Sequence, residues 1–276
     1  MSAGGMGALK RRVALIVEYD GHGLCGWQRQ ENGPSVQEKL EDALEKVEGQ
    51  AVKTLASGRT DTGVHAEAQV AHVDVNAARA ERSLRAYTHG LNRHLPDGIC
   101  VLAARFVDDD FHARFDCTER AYRYQIWSRE TPPALQRWRH WWMPRALDVE
   151  AMRQASAHLL GRHDFTTFRA SGCQAGTPVR EVRAIDIERR GWVISIHIRA
   201  DAYLYHMVRN VVGGLVWAGL GKYSPDAFRQ LLEARDRRLL VAPMAPAHGL
   251  YFVDAVYPAF SSQAEIAPVS GGTTAP

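Results

Sequence analysis

The stretch Ser57-Gly58-Arg59-Thr60-Asp61-Thr62-Gly63-Val64-His65-Ala66 lies between two apolar runs that read as strands, Val52–Ala56 and Gln69–Val75. A plain hairpin needs about two to five connecting residues, and Gly or Asn suffices to make the turn. The connection here is longer, and it carries a single carboxylate between an arginine and a glycine. Gly58 and Gly63 let the backbone bend away on both sides of Asp61, which holds the carboxylate up on a tight loop over rigid strands. An Asp that caps its own turn while Arg59 pairs with it at the surface satisfies the same local pattern.

Outward from this loop the elements fall into a repeated order. Val13–Tyr19 reads as a strand closed by the Asp20-Gly21 turn, and Ser35-Val36-Gln37-Glu38 as a capping box. Val36, Leu40, Leu44 and Val47 then line one helical face. After the two strands around Asp61, Ser83 opens a helix running to Leu95, stopped by Pro96-Asp97-Gly98, and Ile99–Val107 returns as a strand. The second half repeats the pattern. Ala121–Trp127 is a strand, and Asp148 caps a helix carrying Met152, Ala155 and Leu159. Val182–Glu188 and Trp192–Ala200 alternate around Arg190-Gly191, Tyr203–Leu220 is a long apolar helix, Pro225–Arg235 a shorter one, and Leu250–Val256 the last strand. Each half reads β-α-β-β-α-β, the split βαβ unit also used by RNA-recognition modules. The expectation is therefore an α+β protein of two ferredoxin-like halves, residues 10–107 and 108–260, whose antiparallel sheets meet at a central RNA-binding cleft. Ser261–Pro276 is small, polar and contains Pro and Gly, which predicts a disordered tail.

With 276 residues and 46% hydrophobic content the chain has enough apolar material for a sizeable core. The net charge is only +3, yet 29 of the 34 basic residues are arginine. A planar guanidinium pairs bidentately with phosphate and stacks on bases, which suits a nucleic-acid partner. A GC-rich coding sequence produces the same excess. Cys25, Cys100, Cys117 and Cys173 are far apart with no C-x-x-C pair, as expected of free thiols in a reducing compartment. No apolar run reaches the length of a membrane span, and Val13–Val17 is too short for a signal-peptide core. The expected location is cytoplasmic.

The ten residues around Asp61 resemble the catalytic loop of the pseudouridine synthases, in the G-R-T-D-x-G-V-H form of the tRNA pseudouridine synthase A family. The resemblance covers most of the chain, from Glu18-Tyr19-Asp20-Gly21 and Gly26-Trp27-Gln28-Arg29-Gln30 to Gly249-Leu250-Tyr251. Asp110-Phe111-His112-Ala113-Arg114-Phe115 and Arg120-Ala121-Tyr122-Arg123-Tyr124 also match. Thr62 stands at the variable position of the loop, and Ala121 replaces a basic residue found in some members.

The resemblance implies a tRNA pseudouridine synthase, an isomerase that detaches uracil from its ribose, rotates it and rejoins it through carbon. Its implied targets are uridines 38, 39 and 40 of the anticodon stem-loop. It also implies a homodimer on tRNA, no DNA partner, no membrane and no cofactor or metal. Asp61 would be the catalytic carboxylate, and Arg59 would fill the space left when the nucleotide flips out of its stack. Tyr122 would lie against the uracil; by period alone, Tyr122 and Tyr124 on one strand face read as core. Arg209, in Tyr205-His206-Met207-Val208-Arg209-Asn210, sits among apolar neighbours and needs an anion. The resemblance places a basic residue beside the catalytic Asp; a structural pair with another core acid meets the same need. Leu250 matches an apolar residue lining the family's pocket, and by itself reads as core.

Other signals lead elsewhere. Gly219-Leu220-Gly221-Lys222 lacks the Ser or Thr and the spacing of a phosphate loop, and the twelve histidines show no ligand spacing. An RNA-binding module without catalysis, or a metal-dependent nuclease using Asp61 with Asp108–Asp110, are the rival readings. A binder has no need of Arg59-Thr60-Asp61 between glycines, and a nuclease should show several spaced carboxylates.

Overall fold

The computed structural model describes residues 9–267. The first strand, β1 (Lys10–Tyr19), carries Val13–Val17 without interruption, and all five side chains are fully buried. A continuous rather than alternating apolar run belongs to a strand covered on both faces. β1 lies between β3 (His65–Asn76) and β4 (Ile99–Phe106), antiparallel to both, with the two-residue β2 (Leu55–Ala56) on the far side of β3. The order β4-β1-β3-β2 is that of a split βαβ unit.

The second half has the same order. β10 (Leu250–Val256) pairs β5 (Glu119–Ser128), then β9 (Val193–Ala200), then β8 (Val179–Arg190), all antiparallel. Two short strands join it: β6 (Trp141–Met143) beside β5 and β7 (Gly161–Asp164) beside β8. The halves are joined into one sheet, because β10 also runs parallel to the start of β3 through Tyr251↔His65 and Phe252↔Ala66. This seam lies directly after the Asp61 loop, where the chain enters β3.

The helices follow their sequence signals where caps are strong. α1 (Val36–Glu48) has the full capping box of Ser35 and Glu38 and ends at Gly49 in the left-handed conformation. α4 (Val149–Ala157) is capped by Asp148, and α6 (Pro225–Ala234) by Ser224 with Pro225 at its first position.

The helix expected over Ser83–Leu95 is instead broken. Within that span lie only a 3₁₀ turn at Leu84–Tyr87 and α3 (His89–Asn92), while a separate short helix, α2 (Ala77–Arg82), ends just before it. Ser83 is extended, Tyr87 donates its hydroxyl to Glu48 at 2.6 Å, and Asn92 exchanges two hydrogen bonds with Val101. These side chains bond to neighbouring elements rather than support a continuous helix. The helix expected from Tyr203 begins only at Met207: α5 spans Met207–Gly219, because His206 takes a left-handed conformation.

Residues 261–267 also differ from the expected tail. α7 (Ser262–Ile266) packs back on the sheet because the buried Asp254 carboxylate accepts from Ser262 Oγ at 2.8 Å and from the Gln263 amide at 3.0 Å. Residues 268–276 of that tail lie outside the described residues.

Two apolar cores result. One gathers β1, β3 and α1 with Phe252, and the other gathers β5, β9, α4 and α5 with Leu250. Tyr122 packs against both. Phe252 is fully buried in the first core although its strand belongs to the second half, and it meets Tyr122 edge-on at 5.2 Å. Phe252→Ala should therefore destabilise the whole protein by about 3–5 kcal/mol in urea unfolding, within one cooperative transition. Separate unfolding of one half in the variant would mean that the seam does not couple the two cores.

Candidate active site

The loop that carries Asp61 is held from below by two glycines that precede α1. A Cβ on Gly21 would lie 2.2 Å from the Val64 carbonyl oxygen, and one on Gly26 would lie 2.4 Å from the Thr60 oxygen. The Trp27 amide donates to that same Thr60 carbonyl at 3.1 Å, and the Gly63 amide to Leu24 O at 3.3 Å. Thr60 Oγ1 meets the buried Tyr19 hydroxyl at 2.7 Å. Further along, Gly21 N–H donates to His65 Nδ1 at 3.0 Å, while His65 Nε2 faces the Trp138 and His248 carbonyls at 3.0 and 3.2 Å. Burial lowers the His65 pKa against the opposing pull of Asp20, whose Oδ1 also stands 3.0 Å from Nδ1.

Arg120 fixes the other side of the loop. It is anchored entirely on carbonyl oxygens: Ser57 from Nε and Nη2 at 3.1 and 2.9 Å, Asp201 and Cys117 from Nη1, and Arg114 from Nη2. A guanidinium of five fixed donors can join several chain segments in this way. The start of the loop is thereby tied to the second half.

At the tip, Asp61 faces α5. Arg209 Nη1 donates to Asp61 Oδ2 at 3.2 Å, and Arg209 Nε donates to Ala245 O at 2.8 Å. The Arg209 side chain is only 12% exposed, so the anion its sequence context required is Asp61 itself. His206 Nε2 reaches the same Oδ2 at 3.2 Å. Burial lowers the His206 pKa; Asp61 opposes that shift, and Arg209 and Arg237 add to it. Among the described residues Oδ1 of Asp61 has no hydrogen-bond partner. One carboxylate oxygen is clamped and the other is free.

Tyr122 is half-buried on the sheet beneath, edge-on to Tyr203 at 5.0 Å as well as to Phe252. Burial, with smaller contributions from Tyr19 and Asp61, raises its pKa well above the usual tyrosine value. Its hydroxyl is protonated at neutral pH. Arg59 is exposed and makes no ion pair among the described residues. Leu250 is buried in the second core, opposite Tyr124 across the strand pair, and Tyr124 is core. The neighbouring Gly249 is required there, because a Cβ would lie 2.6 Å from the Tyr124 ring.

Asp108–Asp110 is not brought to Asp61. That turn follows β4 near Arg12, at the start of β1, while the Asp61 loop packs against Gly21, just past the other end of the same strand. About seven residues of extended chain, or roughly 23 Å, separate the two ends. Among the described residues no three His, Cys, Asp or Glu side chains stand close enough to hold a metal ion.

A family model described as tRNA pseudouridine synthase matches residues 15–116 and 155–258. The chain belongs to the tRNA pseudouridine synthase family. It is 49% identical over 249 residues to a tRNA pseudouridine synthase A of Paramagnetospirillum magneticum, covering 90% of this chain and 96% of that one. The enzyme of the same name from Shewanella amazonensis is 48% identical, covering 90% and 93%. That from Rhodospirillum rubrum is 46% identical, covering 90% and 88%. The family's glycine-rich opening segments now have a physical reason: Gly21 and Gly26 are the floor of the Asp61 loop.

Sequence reasoning missed three supports. His206 stood in a quoted stretch but read as a lone histidine before an apolar helix. Arg120 looked like one more basic residue, and His65 like the end of the loop. Only the unusual density of glycine before α1 pointed to the floor.

Gly23 and Gly26 have nearly the same left-handed φ, 78° and 81°, but only Gly26 meets the loop; Gly23 has open space. Gly23→Ala should cost about 1–2 kcal/mol of backbone strain. Gly26→Ala should cost clearly more in thermal unfolding and also slow pseudouridine formation. Equal effects of the two substitutions would show that the Gly26 contact does not position the loop.

Proposed function

We propose that this enzyme converts uridine to pseudouridine in the anticodon stem-loop of tRNA, at positions 38, 39 and 40, with Asp61 as its one catalytic carboxylate. The observation that carries the reading is the half-clamped Asp61. Oδ2 is held by Arg209 and faced by His206, while Oδ1 has no hydrogen-bond partner among the described residues.

The isomerisation breaks the bond from the ribose C1′ to N1 of uracil and makes a bond from C1′ to C5. One proton leaves C5 and one is gained at N1, so nothing is oxidised or hydrolysed. As the base departs, C1′ becomes electron-poor, and an ionised carboxylate oxygen can meet it as a nucleophile or take a proton as a base. Arg209 supplies the counter-charge to that carboxylate. The detached uracil is its own acceptor and has only to rotate, so one carboxylate is enough.

In this reading Tyr122 holds the uracil. Its protonated hydroxyl presents a hydrogen-bond donor and its ring an apolar surface, as aromatic residues do for unpaired bases. Arg59, exposed on the rim of the same loop, enters the RNA stack in place of the flipped nucleotide. Leu250, in this reading, lines the pocket on its apolar side, as the family resemblance implies. The anticodon arm as the bound region, the homodimer spanning one tRNA and the cytoplasmic setting are parts of the same reading. They are supported by the family resemblance and by the arginine-rich composition. Among the described residues no helix is long and apolar enough to cross a membrane.

Two outcomes follow. Asp61→Asn, nearly isosteric, should keep the fold and tRNA binding and lose turnover, with activity of the wild type indifferent to a chelator. Pseudouridine formation by the variant near the wild-type rate would refute the assignment. Arg59→Lys keeps the charge but has no plane to stack, so it should bind tRNA within a few-fold of wild type and turn over much more slowly. That defect should shrink when the target uridine is mismatched, because such a base is already partly unstacked. Single-turnover rates on paired and mismatched anticodon stems measure it; an equal loss on both would assign Arg59 to the chemistry or to the loop itself.

A further inference from the structure

His206 occupies the position that caps α5, yet it does not cap it. A helix usually begins with Ser, Thr, Asp or Asn in extended conformation, whose side chain accepts from the first free amides. His206 is left-handed, with φ 59° and ψ 9°, and its side chain makes no such bond. A residue with a Cβ is strained in that region, and among the described residues only Arg235 shares it. The strain is fixed from both sides. The Tyr205 carbonyl accepts from Ala170 at 2.9 Å, and the His206 carbonyl accepts from Asn210 at 3.0 Å. What the unusual backbone achieves is the direction of the ring. The imidazole stacks on Tyr205, with centroids 3.8 Å apart, and points Nε2 at Asp61.

We infer that His206 is a positioning residue for Asp61: its Nε2–H and the Arg209 guanidinium together fix the carboxylate plane through Oδ2 and leave Oδ1 aimed at the substrate. The inference rests on Asp61 being the catalytic carboxylate. His206 and Arg209 stand three residues apart at the start of α5, so both lie on one face of its first turn. A single donor lets a carboxylate swing about its bond to Cβ. Two groups set against one oxygen, Arg209 through its hydrogen bond and His206 through Nε2 at 3.2 Å, oppose that rotation. Burial favours the neutral ring, so Nε2 stands against Oδ2 without placing a second full cation beside the charge that must meet C1′. Backbone strain retained at a site of this kind marks a geometry that the surrounding structure over-determines.

Glycine adopts the left-handed conformation without strain, which separates positioning from structure. His206→Gly should fold with a Tm equal to or above that of the wild type and bind tRNA within a few-fold. Its single-turnover rate should fall roughly ten- to a hundredfold, as for loss of a hydrogen bond to a charged group. His206→Gln, whose amide nitrogen reaches about as far as Nε2, should recover a large part of that rate despite the strain. Wild-type turnover by His206→Gly, or a Gln variant no faster than the Gly variant, would overturn the inference. Asp61→Asn measured beside them keeps the two readings apart. An inactive Asp61→Asn with a fully active His206→Gly defeats the positioning role alone, whereas an active Asp61→Asn defeats the reading on which it rests.

Discussion

The ion pair between Asp61 and Arg209 joins residues 148 positions apart in sequence and opposite halves of the molecule. Neither group has a good alternative. Arg209 is nearly buried on an apolar helix, and Asp61 stands on a loop whose backbone is fixed by glycines beneath it. Deleting the carboxylate outright would leave the nearly buried guanidinium with only the Ala245 carbonyl, a cost that the near-isosteric Asn, still an acceptor, largely avoids. The surrounding architecture can be understood as what brings the two together. The parallel seam of β3 and β10 sets the halves in register immediately after the loop, and Arg209 also bonds Ala245, just before the chain enters β10. Arg120 ties the loop's first residue to the second half as well. Loop, helix and seam form one cooperative unit.

The clamp also distributes roles among groups of similar chemistry. Arg209 and His206 at Oδ2, with no partner at Oδ1 among the described residues, make the carboxylate asymmetric before any substrate arrives. Such preorganisation lets a site stabilise developing charge without reorganising during the reaction. Tyr122 completes the arrangement from the sheet, where burial keeps its hydroxyl protonated beside an ionised carboxylate. Arg59, on the same loop, is exposed to solvent. In the proposed reading, Arg59 and Asp61 on one short loop serve the base stack and the sugar carbon separately.

Much of this was legible in the chain. Arg209 was visible because a charge on an apolar helix demands an anion, and Asp61 because glycines flanked it in a connection too long for a turn. The duplicated element order emerged from hydrophobic period and caps, which report local physics faithfully. The single continuous sheet was not legible, since its seam rests on two residue pairs between distant segments. The broken helix before β4 escaped because Asn92 and Tyr87 spend their polar groups on tertiary partners. His206 escaped for a similar reason: nothing in a histidine announces a left-handed backbone. The arginine excess was an incomplete guide. Arg12 pairs with Asp74, Arg153 bonds Ile187 O and Arg120 holds carbonyls, so part of it is structural.

The account stands on which oxygen of Asp61 meets the sugar. A crystal structure of the enzyme with an anticodon arm carrying 2′-fluorouridine at the target position would show it directly, since the fluorine slows loss of the base by destabilising positive charge on the ribose. The account predicts the uridine flipped against Tyr122, C1′ about 3–3.5 Å from Oδ1, and Oδ2 still held by Arg209 and His206. A ribose facing Oδ2 with the clamp broken, or seated nearer another carboxylate than Asp61, would contradict it.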